Sequence, residues 1–343
     1  MQSISQSELA KITYLDPSAV DERVVLLMPL WDGEIWRIWV NIDEQTLVEF
    51  KPVDAARSHY VAKAPAKESD VFFWFADFMY QRAHWPETSH YVRAICDDFH
   101  MLGTSAAKLR HFYEARDQVD RSLLTSFVQS ELEYMLTVSR SVFDLLQEAV
   151  SEIWNKRVRF PNDPDGAKRP KLPPTFSKVV LDNGQIRTAE QIAQRFGVPE
   201  VLAQRYAADA ATFAHFRTWR DRIVHGGSSV DMVFITEKGF CVSPSHPAFS
   251  DFPWADAHHY NEAIVSLLPW VANIIGRTVD TCTGLMASLA SVVAFPAEVA
   301  PGYRIFLRDP VNPELAAIQR VLDGESVWWA DQQLSLLGET PAS

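Results

Sequence analysis

The sequence predicts a mainly α-helical protein: an antiparallel helical bundle with a β-hairpin insertion and a small N-terminal β region. Apolar residues recur with a period of about 3.6 over long stretches between residues 66 and 299. The first 65 residues instead hold short runs rich in β-branched and aromatic side chains. Hydrophobic residues make up 47% of the 343 positions, which is enough to bury a sizeable core.

The N-terminal region, residues 1–65, is expected to form the β region. Its strands are predicted in RVVLLMPL, IWRIWVNID and TLVEF, which Asp-Gly and Asp-Glu turn signals separate. Trp31, Trp36 and Trp39 are expected to fill the core under this sheet. Stacking on a nucleic-acid base is the alternative role for these indoles.

Residues 66–118 are predicted to be a helical connecting region. One helix is expected in DVFFWFADFMYQRAHW, and Pro86 begins the next. We expect that second helix to end at Gly103, with Thr104 or Ser105 capping another.

Residues 119–299 are predicted to form the helical bundle. The strongest apolar periodicity predicts a helix over residues 121–157. Thr188 and Gln191 form a capping-box pattern for a short helix that ends at Gly197. Pro199 then begins a helix that is expected to reach His225.

The C-terminal third alternates between strand and helix signals. VDMVFITEKGFCVSP predicts a β-hairpin that turns at Lys238 and Gly239. A helical region is expected over residues 256–295, with a kink at Pro269. The tail, residues 300–343, contains a strand-like YRIFL and a helix from about Pro313.

The charge balance argues against a protein that coats itself with nucleic acid. The formal net charge is −12 and the pI is about 5.3, so binding to a polyanion needs a local basic site. The densest basic stretch flanks a Pro-rich loop and is a candidate for guiding RNA, with a solvated loop as the alternative. It consists of Lys156, Arg157, Arg159, Lys168, Arg169 and Lys171.

Compartment signals point to the cytoplasm. The three cysteines, Cys96, Cys241 and Cys282, are far apart in the sequence and form no CxxC pair. The N-terminus lacks a basic and an apolar segment in the order that a secretory signal requires. The longest apolar stretch is shorter than the ~20 residues of a membrane span, so a buried helix is expected there instead.

One short run at the end of a predicted helix carries the candidate chemistry. Residues 220–225 read RDRIVH, so Asp221 follows Arg220 directly and His225 comes five positions after that arginine. This run resembles the motif of the HEPN domain family: an arginine, a polar residue, three variable positions and a histidine. The resemblance covers residues 120–295 and leaves the hairpin and the flanking regions outside the minimal bundle.

The resemblance implies a HEPN-like bundle that dimerises, so that the motifs of two subunits meet and cleave RNA with neither a metal nor another cofactor. Arg220, Asp221 and His225 are then catalytic, and Arg222 supports phosphate contact. In this chemistry the RNA 2′-hydroxyl attacks the adjacent phosphorus, imidazole moves the protons, and Arg220 neutralises the phosphorane. A simple helix cap is the alternative role of His225.

Helical spacing adds an argument from the residues themselves. Arg220 lies four positions after Phe216 and three before Ile223, inside the apolar stripe of its helix. Glu131 interrupts the stripe of the 121–157 helix in the same way, so we expect it to face Arg220 or its neighbourhood. Whether such a pair is catalytic or only structural stays open. Asp221 lies one turn before His225 and is placed to orient its imidazole.

Other chemistries have weak support. Asp256, His258, His259 and Glu262 mix metal-ligand types, but solvated residues at a helix start explain them better. No phosphate-binding P-loop, dinucleotide fingerprint or nucleophile elbow is present. The leading hypothesis is therefore an endoribonuclease that cuts single-stranded RNA, with a toxin or anti-phage role and an antitoxin or regulatory partner implied by the resemblance. The alternative is a non-catalytic HEPN-like binding, scaffold or sensor protein.

Overall fold

A computed structural model describes residues 2–5, 28–43, 46–50, 57–159, 170–223 and 232–332. The chain divides into two compact units, each built from three separate segments. Unit 1 comprises Met1–Phe99, Ser141–Phe213 and Asp280–Asn312, and unit 2 comprises His100–Arg140, Ala214–Val279 and Pro313–Ser343. The boundaries predicted from the sequence, 1–65, 66–118, 119–299 and 300–343, do not coincide with these units, because the longest helices contribute residues to both.

Helices dominate the described residues, so the prediction of a mainly α protein is confirmed at that level. The α-helices are α1 (Trp74–Arg82), α2 (Pro86–Glu114), α3 (Arg121–Glu152), α4 (Phe176–Val180), α5 (Ala189–Phe196), α6 (Glu200–Asp221), α7 (Leu268–Val292) and α8 (Asn312–Leu322). A π-helical turn, Ile153–Arg157, continues α3 to the end that its periodicity predicts.

Unit 1 contains a seven-stranded sheet. Its strands are β1 (Gln2–Ser5), β2 (Leu30–Trp31), β3 (Trp36–Asp43), β4 (Thr46–Phe50), β5 (Ser58–Ala62), β6 (Val71–Phe72) and β12 (Arg304–Arg308), in the order β1-β4-β3-β2-β5-β12-β6. The YRIFL strand of the tail therefore lies between β5 and β6, antiparallel to both. Trp36, Tyr60 and Phe306 form the aromatic core of this sheet, and Trp31 packs against it. The buried position of Trp36 confirms a core role for that indole.

Two predicted helix boundaries are wrong. Helix α2 runs through Gly103, which is buried, because Leu102, Ala106 and Leu109 on either side keep one face of the helix in the core. Pro269 does not kink a helix: α7 begins at Leu268, so the proline lies in the first turn, where its missing N–H is not needed. Upstream of α7, Asp256–His258 forms only a short 3₁₀ turn.

Helices α2 and α3 run antiparallel within each unit. In unit 1, Tyr91 hydrogen-bonds Glu148 and Asp98 hydrogen-bonds Ser141. In unit 2, Lys108 pairs with Glu131, and the ring centroids of Phe112 and Phe127 lie 5.5 Å apart. In every pair the residue number rises along one helix as it falls along the other.

Several locally encoded features are confirmed. Thr188 and Gln191 form the predicted capping box of α5, and Gly197 ends that helix with a φ of 64°. Strands β9 (Phe234–Ile235) and β10 (Phe240–Val242) form the predicted hairpin, which turns at Lys238 and Gly239. Strand β11 (Val265–Ser266) adds a third strand beside β10. Strands β7 (Leu181–Asp182) and β8 (Gln185–Ile186) form a separate two-stranded ribbon in unit 1.

Candidate functional site

The C-terminal turns of α6 carry the motif residues that the structure describes, all within unit 2. The apolar stripe of the helix is buried as predicted through Phe213 and Phe216, but Trp219 continues it instead of Arg220. The side chain of Arg220 is 42% exposed, so the prediction that it lies inside the buried stripe is wrong. At 100° per residue, Arg220 falls between Phe213 and Phe216 in angle, so helical phase alone predicts its burial. It lies in the last turn of α6, where the indole of Trp219 is buried instead.

Two arginines share one carboxylate at this helix end. The Nη1 atom of Arg220 lies 3.0 Å from Oδ1 of Asp221, and Nε of Arg217 lies 3.6 Å from Oδ2 of the same residue. All three side chains are 42–44% exposed, so these ion pairs contribute only about 0–1 kcal/mol each. The guanidinium groups are therefore held loosely and remain available to an anion.

The second arginine of the motif, Arg222, stacks on the buried indole of Trp219. The guanidinium carbon of Arg222 lies 4.9 Å from the ring centroid of Trp219. The imidazole of His246 contacts that indole as well, at 5.7 Å between ring centroids. The site predicted from the sequence did not include Arg217, Trp219 or His246. The RTWRDR run signals the first two, whereas His246 lies in an irregular Ser- and Pro-rich segment with no periodicity to mark it.

A histidine of α6, His215, lies one turn before Trp219. The Nδ1 atom of His215 lies 3.8 Å from Oδ2 of Asp251, in the same irregular segment as His246. Burial lowers the pKa of His215, and the Asp251 carboxylate offsets this only in part. His215 is therefore neutral near pH 7 and adds no charge to the three arginines.

His225 lies outside the described residues, with its neighbours 224–231. Its catalytic role, and its orientation by Asp221, stay predictions. What the structure describes is the stretch directly before it. Arg220 and Asp221 end α6, a helix with a buried apolar face, and Arg222 follows directly.

Glu131 has a different partner from the one expected. Its Oε1 atom accepts a hydrogen bond of 2.8 Å from Nζ of Lys108, and not from Arg220. Positions 108 and 131 face each other because α2 and α3 are antiparallel in unit 2. The Glu131 side chain is only 13% exposed, and within the described residues its Oε2 atom is buried without a hydrogen-bond partner.

The basic stretch proposed to guide RNA belongs to unit 1, and much of its charge is compensated. Lys156 forms an ion pair with Glu152, and Arg157 forms one of 3.0 Å with Glu87. Arg159 donates a hydrogen bond to a backbone carbonyl, and Lys171 is exposed. Lys168 and Arg169 lie outside the described residues.

The described ranges contain neither a cluster of metal-binding side chains nor a helix that could span a membrane. Among those residues, no three His, Cys, Asp or Glu side chains are placed to hold a metal ion. No helix described here is both long enough and apolar enough to cross a membrane.

Comparison with known proteins identifies no relative: no family model, curated protein or solved structure matches this chain.

Proposed function

We propose that this protein is a metal-independent endoribonuclease that acts on single-stranded RNA in the cytoplasm, through the motif at the end of α6. The observation that carries the proposal is a group of three arginines that precede His225: Arg217 and Arg220 on the last turns of α6, and Arg222 directly after that helix. The first two are half-exposed and Arg222 is exposed. A single carboxylate, Asp221, lies among them, so the surface keeps an excess of positive charge in a chain of net charge −12.

The proposed reaction is a transesterification. His225 accepts the proton of a 2′-hydroxyl, the freed oxygen bonds to the adjacent phosphorus, and the bond from phosphorus to the 5′ oxygen breaks. An imidazole of a second copy returns a proton to that leaving oxygen, so the products are a 2′,3′-cyclic phosphate and a 5′-hydroxyl. Arg220 suits the phosphorane because its charge is permanent and its two N–H donors match two phosphate oxygens.

A second copy of the chain is part of this proposal, and one surface of α3 supports it. None of the exposed side chains of α3 from 122 to 141 is charged. The set comprises Ser122, Leu123, Ser126, Phe127, Ser130, Tyr134, Thr137 and Ser141. Two such faces meet around a twofold axis without opposing like charges, and the serines permit close approach.

The oligomer is tested with Phe127→Glu, which places a charge on that face. Light scattering after size exclusion is expected to give a dimer for the parent protein and a monomer for the variant. Val201→Glu is the matched control, because Val201 is also an exposed apolar residue on a long helix, at 48% against 39% for Phe127. A monomeric parent protein, or equal behaviour of both variants, contradicts the twofold arrangement.

Cleavage is tested on a fluorescent RNA strand in EDTA. The parent protein is expected to cut it, and His225→Ala and Arg220→Ala to lose at least a hundredfold in rate. His111→Ala and Arg195→Ala are the matched controls, because each removes the same residue type from the last turn of a helix that does not carry the motif. A strand with one ribonucleotide in DNA is expected to be cut only there, and an all-DNA strand not at all. Equal cleavage by all variants, or none by the parent protein, refutes the activity.

The second candidate is a non-catalytic HEPN-like binding, scaffold or sensor protein. The acidic balance and the ion pairs that compensate Lys156 and Arg157 favour it. Growth on induction separates the two functions in cells: a nuclease is expected to arrest growth unless His225 is replaced. A partner that relieves the arrest fits the toxin or anti-phage role that the HEPN resemblance implies.

A further inference from the structure

One buried indole in unit 2, that of Trp219, contacts both a guanidinium and an imidazole. Trp219 is only 4% exposed, and its ring contacts Arg222 at 4.9 Å and His246 at 5.7 Å. Arg222 is exposed and His246 is half-buried, so both side chains reach solvent from this indole. The two distances limit the separation of the imidazole and the guanidinium to about 11 Å. That is short enough for one sugar-phosphate unit to touch both.

The imidazole of His246 is held in one orientation. Its Nδ1 atom accepts a 3.2 Å hydrogen bond from the backbone N–H of Ala248. The backbone carbonyl of His246 accepts from Phe249 at 2.8 Å and from Ser250 at 3.0 Å, which closes a tight turn around the ring. Because Nδ1 is an acceptor here, the ring proton lies on Nε2. Among the described residues, Nε2 has no hydrogen-bond partner.

We propose that Arg222 and the Nε2–H of His246 form a phosphate-binding subsite for RNA. This subsite would hold a phosphodiester next to the one that is cleaved, so the inference rests on the proposed function. Both groups are pure hydrogen-bond donors, one charged and one neutral, which suits the monoanionic phosphodiester. The buried face of Trp219 leaves no room for a stacked base, so the subsite reads the backbone and not the sequence.

The charges around the subsite agree with an anionic ligand. On α6, Arg217 and Arg220 add positive charge and Asp221 compensates one of them. On the irregular segment, Asp251 is the carboxylate that faces α6, and it lies beside His215. With Arg222 included, the surroundings of the subsite carry three guanidinium groups and two carboxylates, so their net charge is positive.

The experiment measures binding of a fluorescein-labelled, 2′-fluoro-substituted RNA strand, which lacks the attacking hydroxyl and is not cleaved. His246→Asn keeps an acceptor near the Nδ1 position, and so the turn, but removes the Nε2 donor. His246→Gln keeps a donor near the Nε2 position. His258→Asn is the matched control, because Nδ1 of His258 also accepts a backbone N–H, at 3.1 Å, and its ring packs against Trp254. Within the described ranges, no arginine stacks on that indole.

We expect His246→Asn to weaken binding about tenfold, the loss of one hydrogen bond to a charged group, and His246→Gln to weaken it less. Arg222→Ala is expected to weaken binding and to lower the slope of log K against log salt by about 0.7. His246→Asn is expected to leave that slope unchanged, because it removes a neutral donor. The double variant is expected to lose less than the sum of the two single effects, since in the proposed subsite both groups bind the same phosphodiester.

The results separate the subsite from the nuclease. If the parent protein cleaves RNA but His246→Asn binds like His258→Asn, the subsite is refuted and the nuclease stands. If the parent protein cleaves nothing but both subsite variants lose affinity, the subsite stands and the nuclease is refuted. No binding of the strand by the parent protein, or equal salt slopes for all variants, also refutes the subsite.

Discussion

Replacing Gly284 with alanine is expected to break a charged clamp inside unit 1. Arg205 donates to both carboxylate oxygens of Asp209, at 2.8 and 2.9 Å, and to the carboxylate and the carbonyl of Asp280, each at 2.9 Å. A Cβ atom at Gly284 would lie 2.1 Å from Nη1 and 2.2 Å from Cζ of Arg205. The guanidinium must therefore move by about 1 Å, which stretches these hydrogen bonds beyond their normal range.

The magnitude follows from two opposing effects. Losing one or two hydrogen bonds between charged groups costs about 2–4 kcal/mol, because the Asp209 side chain is only 8% exposed and loses part of its compensation. Replacing glycine with alanine inside a helix by itself stabilises the folded state by about 1 kcal/mol. The net expectation for Gly284→Ala is a loss of about 1–3 kcal/mol in the free energy of unfolding.

Gly276→Ala on the same helix is the matched control. The three atoms nearest to a Cβ there all belong to Leu322, which is 43% exposed and can rotate away. This variant is expected to be neutral or more stable by up to about 1 kcal/mol. Urea unfolding followed by circular dichroism measures the free energy of unfolding of both variants. Unchanged m-values show that the same unfolding transition is being compared. If Gly284→Ala is at least as stable as Gly276→Ala, the clamp does not constrain Arg205 and the reasoning is refuted. Adding Arg205→Met to Gly284→Ala is expected to remove the clash.

Two further perturbations test the core of unit 1. Asp70 accepts hydrogen bonds from Tyr60 at 2.6 Å and from Arg308 at 2.8 Å, and its side chain is 1% exposed, so Asp70→Ala is expected to cost about 3–5 kcal/mol in urea unfolding. A loss under 1 kcal/mol would contradict this. Burial raises the pKa of Asp98 from 3.8 to about 6, against a hydrogen bond from Ser141 that lowers it. The folded state then binds this proton more tightly than the unfolded state, so stability falls as the pH rises from about 4 to 6. Asp98→Asn is expected to flatten that part of the stability curve, and an unchanged curve would show that Asp98 titrates normally.

The sequence by itself determined the features that arise within a few residues of each other. The capping box of Thr188 and Gln191, the left-handed Gly197 and the hairpin turn at Lys238 and Gly239 all form as predicted. Each depends on hydrogen bonds or backbone angles inside one or two turns of chain, where the residue types set the outcome. The buried stripe of α6 follows from periodicity in the same way.

Only the tertiary structure decided which distant segments meet. The strand β12 pairs with β5 across more than 240 positions, Glu131 finds Lys108 on the neighbouring helix, and His246 reaches Trp219 from an irregular segment. Propensity and periodicity describe one element at a time, so they identify which face of a helix or strand is buried but not its partner. The RDRIVH motif could therefore be identified from the sequence alone. The neighbours of Arg222 could not, because they are set by tertiary packing around Trp219.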